Sequence, residues 1–128
     1  MPMSSTKSPS DKNAEARQQA AIVEWARLVM PQCIIYHVPN GGFRTKPEAA
    51  RLKWMGVYPG ITDLVIVDEP GFSYFMEVKG PDGVLSADQK TFRDLCLTKK
   101  WPWGIVHNVT EASALVNKWG IPTREAKR

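Results

Sequence analysis

The chain has 128 residues, one domain's worth, and a domain of that size buries roughly two thirds of the surface its unfolded form exposes, so it needs no disulfide or metal staple to fold. A 43% hydrophobic and 23% charged composition is that of a soluble globular protein, and no apolar run approaches the roughly 20 residues that span a bilayer. A net charge of +4 and a pI near 9.2 permit a nucleic-acid partner without requiring one.

Residues 1–13 are rich in Ser, Pro and Lys, lack the apolar centre of a secretory signal and read as a disordered lead-in to a domain spanning 14–122. The chain therefore reads as cytoplasmic. From Ala14 to about Met30 the spacing of Ile22, Trp25, Ala26 and Val29 predicts a helix, stopped by Pro31. A short strand follows over Cys33–Val38 and ends at the loop signal Pro39-Asn40-Gly41-Gly42. A second helix is expected over Lys46–Met55, with Thr45 and Glu48 in capping-box spacing and Gly56 placed for a left-handed cap. Two strands, Thr62–Val67 and Phe72–Lys79, flank the hairpin-like Asp68-Glu69-Pro70-Gly71.

After the break at Gly80-Pro81-Asp82-Gly83, Ser86 opens a third helix to about Leu97 with Phe92, Leu95 and Cys96 as its apolar stripe. Gly104–His107 predicts a last strand and Thr110–Trp119 a last helix, before a basic tail over 123–128. The order α-β-α-β-β-α-β-α predicts an α/β fold, a mixed central sheet flanked by helices. Cys33 and Cys96 sit in apolar company and read as buried free thiols. With His37 and His107 they lack the paired short spacings of a zinc motif.

Strand alternation puts Phe75, Glu77 and Lys79 on one face and Tyr74, Met76 and Val78 on the other. A hairpin pairs the start of its first strand with the end of its second, which brings Asp63 beside Glu77. Two adjacent carboxylates repel unless a cation neutralises them. Mg²⁺ accepts one or two carboxylates together with substrate phosphate oxygens and acidifies a bound water. Lys79 could orient that water or offset transition-state charge. An acid and a lysine two apart are more often a solvated strand face, so the paired acid and the surrounding motifs must decide.

Those motifs form an ordered set: Val38-Pro39-Asn40-Gly41-Gly42, Arg44, Gly56 to Asp63, Met76-Glu77-Val78-Lys79, Leu85-Ser86-Ala87-Asp88-Gln89 and Gly104-Ile105-Val106. Together they cover roughly residues 20–120 and resemble the virus-type replication-repair nuclease (VRR-NUC) family of the PD-(D/E)XK nuclease superfamily. The resemblance implies a restriction-endonuclease-like core with Mg²⁺, or Mn²⁺ in its place. It implies Asp63, Glu77 and the Val78 carbonyl as metal ligands, Lys79 as catalytic lysine and Gln89 as active-site glutamine. Gln89 also has the spacing of a capping-box partner for Ser86. Glu24 resembles the superfamily's first-helix acid, which assists the metal.

Asn40 and Arg44 in the Gly-rich loop, with Lys46, Arg51 and Lys53 after it, are candidate DNA contacts. Lys99, Lys100 and Trp101 form a second basic, aromatic cluster. Stand-alone family members resemble phage and bacterial proteins that cut branched DNA, such as four-way junctions, as homodimers. The expected function is thus a structure-selective DNA endonuclease in a prokaryotic or phage-infected cell. A restriction-type enzyme or exonuclease on the same core, or a non-catalytic DNA-binding module, are the alternatives. The family usually has proline before the aspartate. Here Thr62 stands there, which bears on backbone geometry rather than on chemistry.

Overall fold

The structure is a computed structural model that describes residues 9–39 and 45–124. Helix α1 (Pro9–Val29) leads to strand β1 (Ile34–His37), helix α2 (Lys46–Trp54), strands β2 (Leu64–Val67) and β3 (Ser73–Val78), helix α3 (Ala87–Lys99), strand β4 (Trp103–Val106) and helix α4 (Val109–Trp119). The element order is the expected one. The bounds differ in places. α1 begins at Pro9 rather than Ala14, because the polar stretch before Ala14 continues the helix as its first turns. α3 runs on to Lys99, where Lys100 closes it in the left-handed conformation (φ 61°). α4 is capped by Asn108, whose side chain accepts from Glu111 N, so Thr110 lies inside the helix.

The four strands form one sheet in the order β1-β2-β3-β4, antiparallel between β1 and β2 and between β2 and β3, and parallel between β3 and β4. Alternation sends Ile35, Leu64, Ile66, Met76, Val78 and Val106 to one face, where Ile22, Ala26 and Met30 of α1 and Ala112 and Val116 of α4 close a core. The other face belongs to α3: Phe75 meets Phe92 edge-on, with ring centroids 5.0 Å apart.

The β2–β3 turn is tied by one aspartate. Asp68 Oδ1 accepts from Gly71 N (3.0 Å) and Phe72 N (2.8 Å), and its Oδ2 accepts from the Tyr74 hydroxyl (2.6 Å). The Tyr74 hydroxyl, first among these donors, holds the Asp68 carboxyl below its ordinary value. This knot sets the register Leu64 opposite Met76. A slip of one residue would turn every side chain to the wrong face, Glu77 included.

α2 is the exception to the packing. None of its residues is buried, and among the described residues it packs against no other helix or strand. Trp54 at its end is 85% exposed. No helix among the described residues is long and apolar enough to cross a membrane.

Candidate active site

The sheet register stops at Leu64–Met76, and one step further puts Asp63 level with Glu77. There the ladder ends, and the next backbone donor on β3 needs another partner. Asp63 supplies it: its Oδ2 accepts from Val78 N at 2.9 Å. In an extended strand the carbonyl of a residue leaves on the same edge as its N–H, so the Val78 carbonyl also projects toward Asp63. The Asp63 backbone is anchored from the other side. Its carbonyl accepts from Val38 N (2.8 Å) and from His37 Nδ1–H (2.8 Å).

Glu77 is 1% exposed, and among the described residues no donor reaches either of its carboxyl oxygens. A buried acceptor pair left without donors is costly. Burial is the main cause that pushes the Glu77 carboxyl up to about 9. The adjacent Asp63 carboxyl pushes the same way, and Lys79 pulls back. Asp63 places a second carboxyl beside Glu77 rather than a positive charge. The two carboxyls can therefore share a proton or share a cation.

Lys79 is half-buried, and its Nζ donates to Gln89 Oε1 at 3.0 Å. The same oxygen accepts from Ser86 N (2.8 Å), while Gln89 N donates to Ser86 Oγ (3.2 Å). Gln89 thus fills both roles suggested for it: it closes the capping box of α3 and grips the lysine. Gly60 makes this possible. It has φ 83°, and a Cβ there would stand 2.1 Å from the Asp88 carbonyl, so only glycine lets the linker touch the start of α3. A cleft of about 230 Å³ opens between them, lined by Pro59, Gly60, Ile61, Asp63, Asp88 and Gln89 among others.

Asp63, Glu77, Val78, Lys79 and Gln89 therefore converge as expected. Glu24 does not join them. It is exposed, beside Ala20, Val23, Arg27 and Leu28 over a shallow hollow. Glu15 reaches the site end instead, its Oε2 accepting from Gly80 N at 3.0 Å. Nine residues separate the two; at roughly 100° per residue that is about two and a half turns, so they lie on opposite sides of α1. Sequence patterns do not single out Glu15 or His37, whose contacts span separations that no local pattern reveals. Asn40 and Arg44 lie outside the described residues. Lys46, Arg51 and Lys53 are exposed on α2.

Thr62 is fully buried, and its hydroxyl donates to Leu64 O at 2.9 Å. Where proline would stiffen φ, this chain ties the backbone across Asp63 with a side-chain hydrogen bond.

A hard divalent cation fits the donor set: Asp63, which lines the open cleft, and beside it the buried Glu77, whose two oxygens lack hydrogen-bond partners among the described residues. A tetrahedral zinc site does not fit, since among the described residues no three His, Cys, Asp or Glu side chains converge. Cys33 and Cys96 are free thiols, and burial pushes the Cys96 thiol up to about 11.

No family profile matches the sequence, and no curated protein matches it either. Among solved structures the chain is similar to one described as a VRR_NUC domain protein. The TM-score is 0.62 at 16% identity, and the match covers 91% of this chain and 93% of that one. At this identity the likeness is one of fold: the mixed sheet and its flanking helices are shared over nearly the full length of both chains.

Proposed function

We propose that this chain is a divalent-metal-dependent DNA endonuclease of the PD-(D/E)XK type, selective for branched DNA and acting as a homodimer. One observation carries the reading. A buried glutamate with both oxygens lacking donors faces a second carboxylate, with a lysine held close by. The fold shared with a VRR_NUC domain protein supports the same class.

Asp63, Glu77 and the Val78 carbonyl would hold Mg²⁺ or Mn²⁺. The ion, when bound, supplies a Lewis acid for the phosphodiester and an acidified water. Lys79 has three N–H donors. One is spent on Gln89, which leaves the others for the attacking water or a phosphate oxygen. Because Gln89 fixes the ammonium, its charge is in place before negative charge develops on the phosphoryl oxygens.

The substrate side of the proposal rests on α2. The helix packs against no other helix or strand among the described residues, and it presents Lys46, Arg51 and Lys53 to solvent beside Trp54. Its linker, Val57 to Thr62, runs into the cleft that Asp63 lines. Replacing the three cations with alanine should flatten the salt dependence of DNA binding by roughly 0.9 per lost phosphate contact, while leaving the fold intact. An unchanged slope in metal-free binding assays would remove α2 from the interface. A two-fold dimer would supply the paired cuts that a symmetric four-way junction requires.

The test compares junction, flap, splayed-arm and linear duplex DNA with Mg²⁺, Mn²⁺ and EDTA. Cleavage is expected with either metal, strongest on the junction, and none in EDTA. Equal rates on junction and duplex would refute branch selectivity, discrete fragments from a plasmid would point to a restriction-type enzyme, and stepwise shortening from ends to an exonuclease. Binding without any cutting would leave a DNA-binding module.

A further inference from the structure

We propose that the corner between α3 and β4 binds an unpaired base of a single-stranded DNA segment, stacked on Trp101 and flanked by Lys100. The proposal rests on the nuclease reading for DNA as the partner and on the geometry of this corner for the site.

The corner lies at the end of the sheet away from Asp63 and Glu77. Glu77 follows Ser73 by four residues of β3, roughly 14 Å, which is about four base steps at the rise of one DNA strand. A hollow of about 500 Å³ opens at the corner, lined by Phe72, Tyr74, Phe75, Lys100, Trp101 and Pro102 among others. Trp101 is 44% exposed and Phe72 67%, so aromatic surface is left open to a ligand.

Both aromatics stand on fixed backbone. Trp101 N donates to Cys96 O (2.9 Å) and Lys100 N to Leu97 O (3.3 Å), the paired bonds of a helix end closed by a left-handed residue. The Trp101 ring lies near Phe75, with centroids 6.4 Å apart and planes tilted by 38°. Phe72 N is tied to Asp68 Oδ1. An aromatic already ordered in this way stacks on a base with little further loss of entropy, and every base offers it a face.

Glycine ordinarily takes the left-handed position at a helix end, and a lysine there is strained. Lys100 is nonetheless the one non-glycine with positive φ among the described residues. A cation is thus kept at the hollow against the preference of the backbone. Lys99 beside it is exposed as well, and both suit the phosphate of a stacked nucleotide. Glu69, exposed on the turn before Gly71, offsets part of this charge, so stacking carries most of the recognition. Linear duplex has no unpaired base to offer, which gives the corner a means of favouring branched DNA.

The test uses the full-length protein in EDTA and a labelled oligothymidylate of about ten nucleotides, followed by fluorescence anisotropy. Trp101→Ala is expected to weaken binding by about 5- to 100-fold, and Trp101→Phe, which keeps a ring, by no more than about threefold. The ratio of oligonucleotide to linear-duplex affinity should fall in step. Lys100→Gly should raise the melting temperature by relieving the left-handed lysine, and yet lower the salt slope of oligonucleotide binding by about 0.7. On the wild type, a bromodeoxyuridine oligonucleotide irradiated in the complex should attach to Trp101.

Wild-type binding by Trp101→Ala, or a crosslink on Trp54 of α2 instead, would overturn the site. A change in sedimentation of Trp101→Ala with oligonucleotide binding intact would make the hollow a self-association face and equally overturn it. The crosslink is made on the unaltered chain, so it decides the matter even if Trp101→Ala fails to fold. No arm needs cleavage. A protein that bound through Trp101 and cut no DNA would refute the nuclease reading alone, and one that cut branched DNA without using Trp101 would refute this site alone.

Discussion

Glu77→Gln is expected to raise the melting temperature of the metal-free protein at alkaline pH and, in the same molecule, to abolish cleavage. The wild-type carboxyl is 1% exposed, has no donor on either oxygen among the described residues, and is pushed up to about 9 chiefly by burial. Its folded value lies above its ordinary 4.5. Below about 4.5 both folded and unfolded chains carry the proton. Between there and about 9 the folded chain keeps it while the unfolded chain has released it, so rising pH draws the protein toward the unfolded state. The stability held at low pH is lost across that window, at up to about 1.4 kcal/mol per pH unit.

An uncharged amide removes this loss. It can also donate to Asp63, which the ionised glutamate cannot. A gain of roughly 2 kcal/mol is the expected scale for relieving an uncompensated buried charge, about 5–10 °C in Tm for a domain of this size. Adding Mg²⁺ should raise the Tm of the wild type, and more so at about pH 9 than at about pH 6, because ligands bind deprotonated and stabilise only the folded state. In Glu77→Gln that increment should vanish. Thermal melts in EDTA and in Mg²⁺ across pH decide it: a wild-type Tm in EDTA that does not fall with pH would show that Glu77 is not a strained, uncompensated acid.

The pair of carboxylates is legible in the sequence because two short-range rules suffice. Alternation sets Glu77 and Lys79 on one face, and the Asp68 turn sets the register that brings Asp63 level with Glu77. Gln89 is legible as a cap from its spacing to Ser86, and the same spacing aims it at Lys79. The phase of α1 is not legible. Glu24 reads as close to a buried face because Ala20 and Ala21 precede it, yet small residues flank a helix's solvent side as readily as its core. Which end of α1 passes the end of β3 depends on how the helix lies across the sheet, and that is decided by packing of Ile22, Ala26 and Met30 against strands far along the chain. Glu15 and His37 are hidden for the same reason. The caps of α2 predict a helix, but nothing in its propensity shows that it stands apart from the core.

Asp63→Ala and Lys79→Ala should each stop cleavage while leaving metal-free DNA binding within about threefold of wild type, and they should do so for different reasons. Asp63→Ala removes a carboxylate from the cation set and strips Val78 N of its partner. It also removes the repulsion on Glu77. Loss of the partner costs about 1–3 kcal/mol and relief of the repulsion returns part of it, so Tm in EDTA should move little while the Mg²⁺ increment disappears. Lys79→Ala keeps both carboxylates, so the Mg²⁺ increment should persist with cleavage down by about 10²–10⁴-fold, the range for one lost proton-transfer or charge-stabilising group. Lys79→Arg should not restore it: a planar fork cannot occupy the slot between Gly83 and Gln89 that a linear stem fills. Cleavage that survived in either alanine variant would remove that residue from the active site. Persistence of the metal increment in Lys79→Ala, set against its loss in Asp63→Ala, would separate the group that orients the reaction from the group that holds the ion.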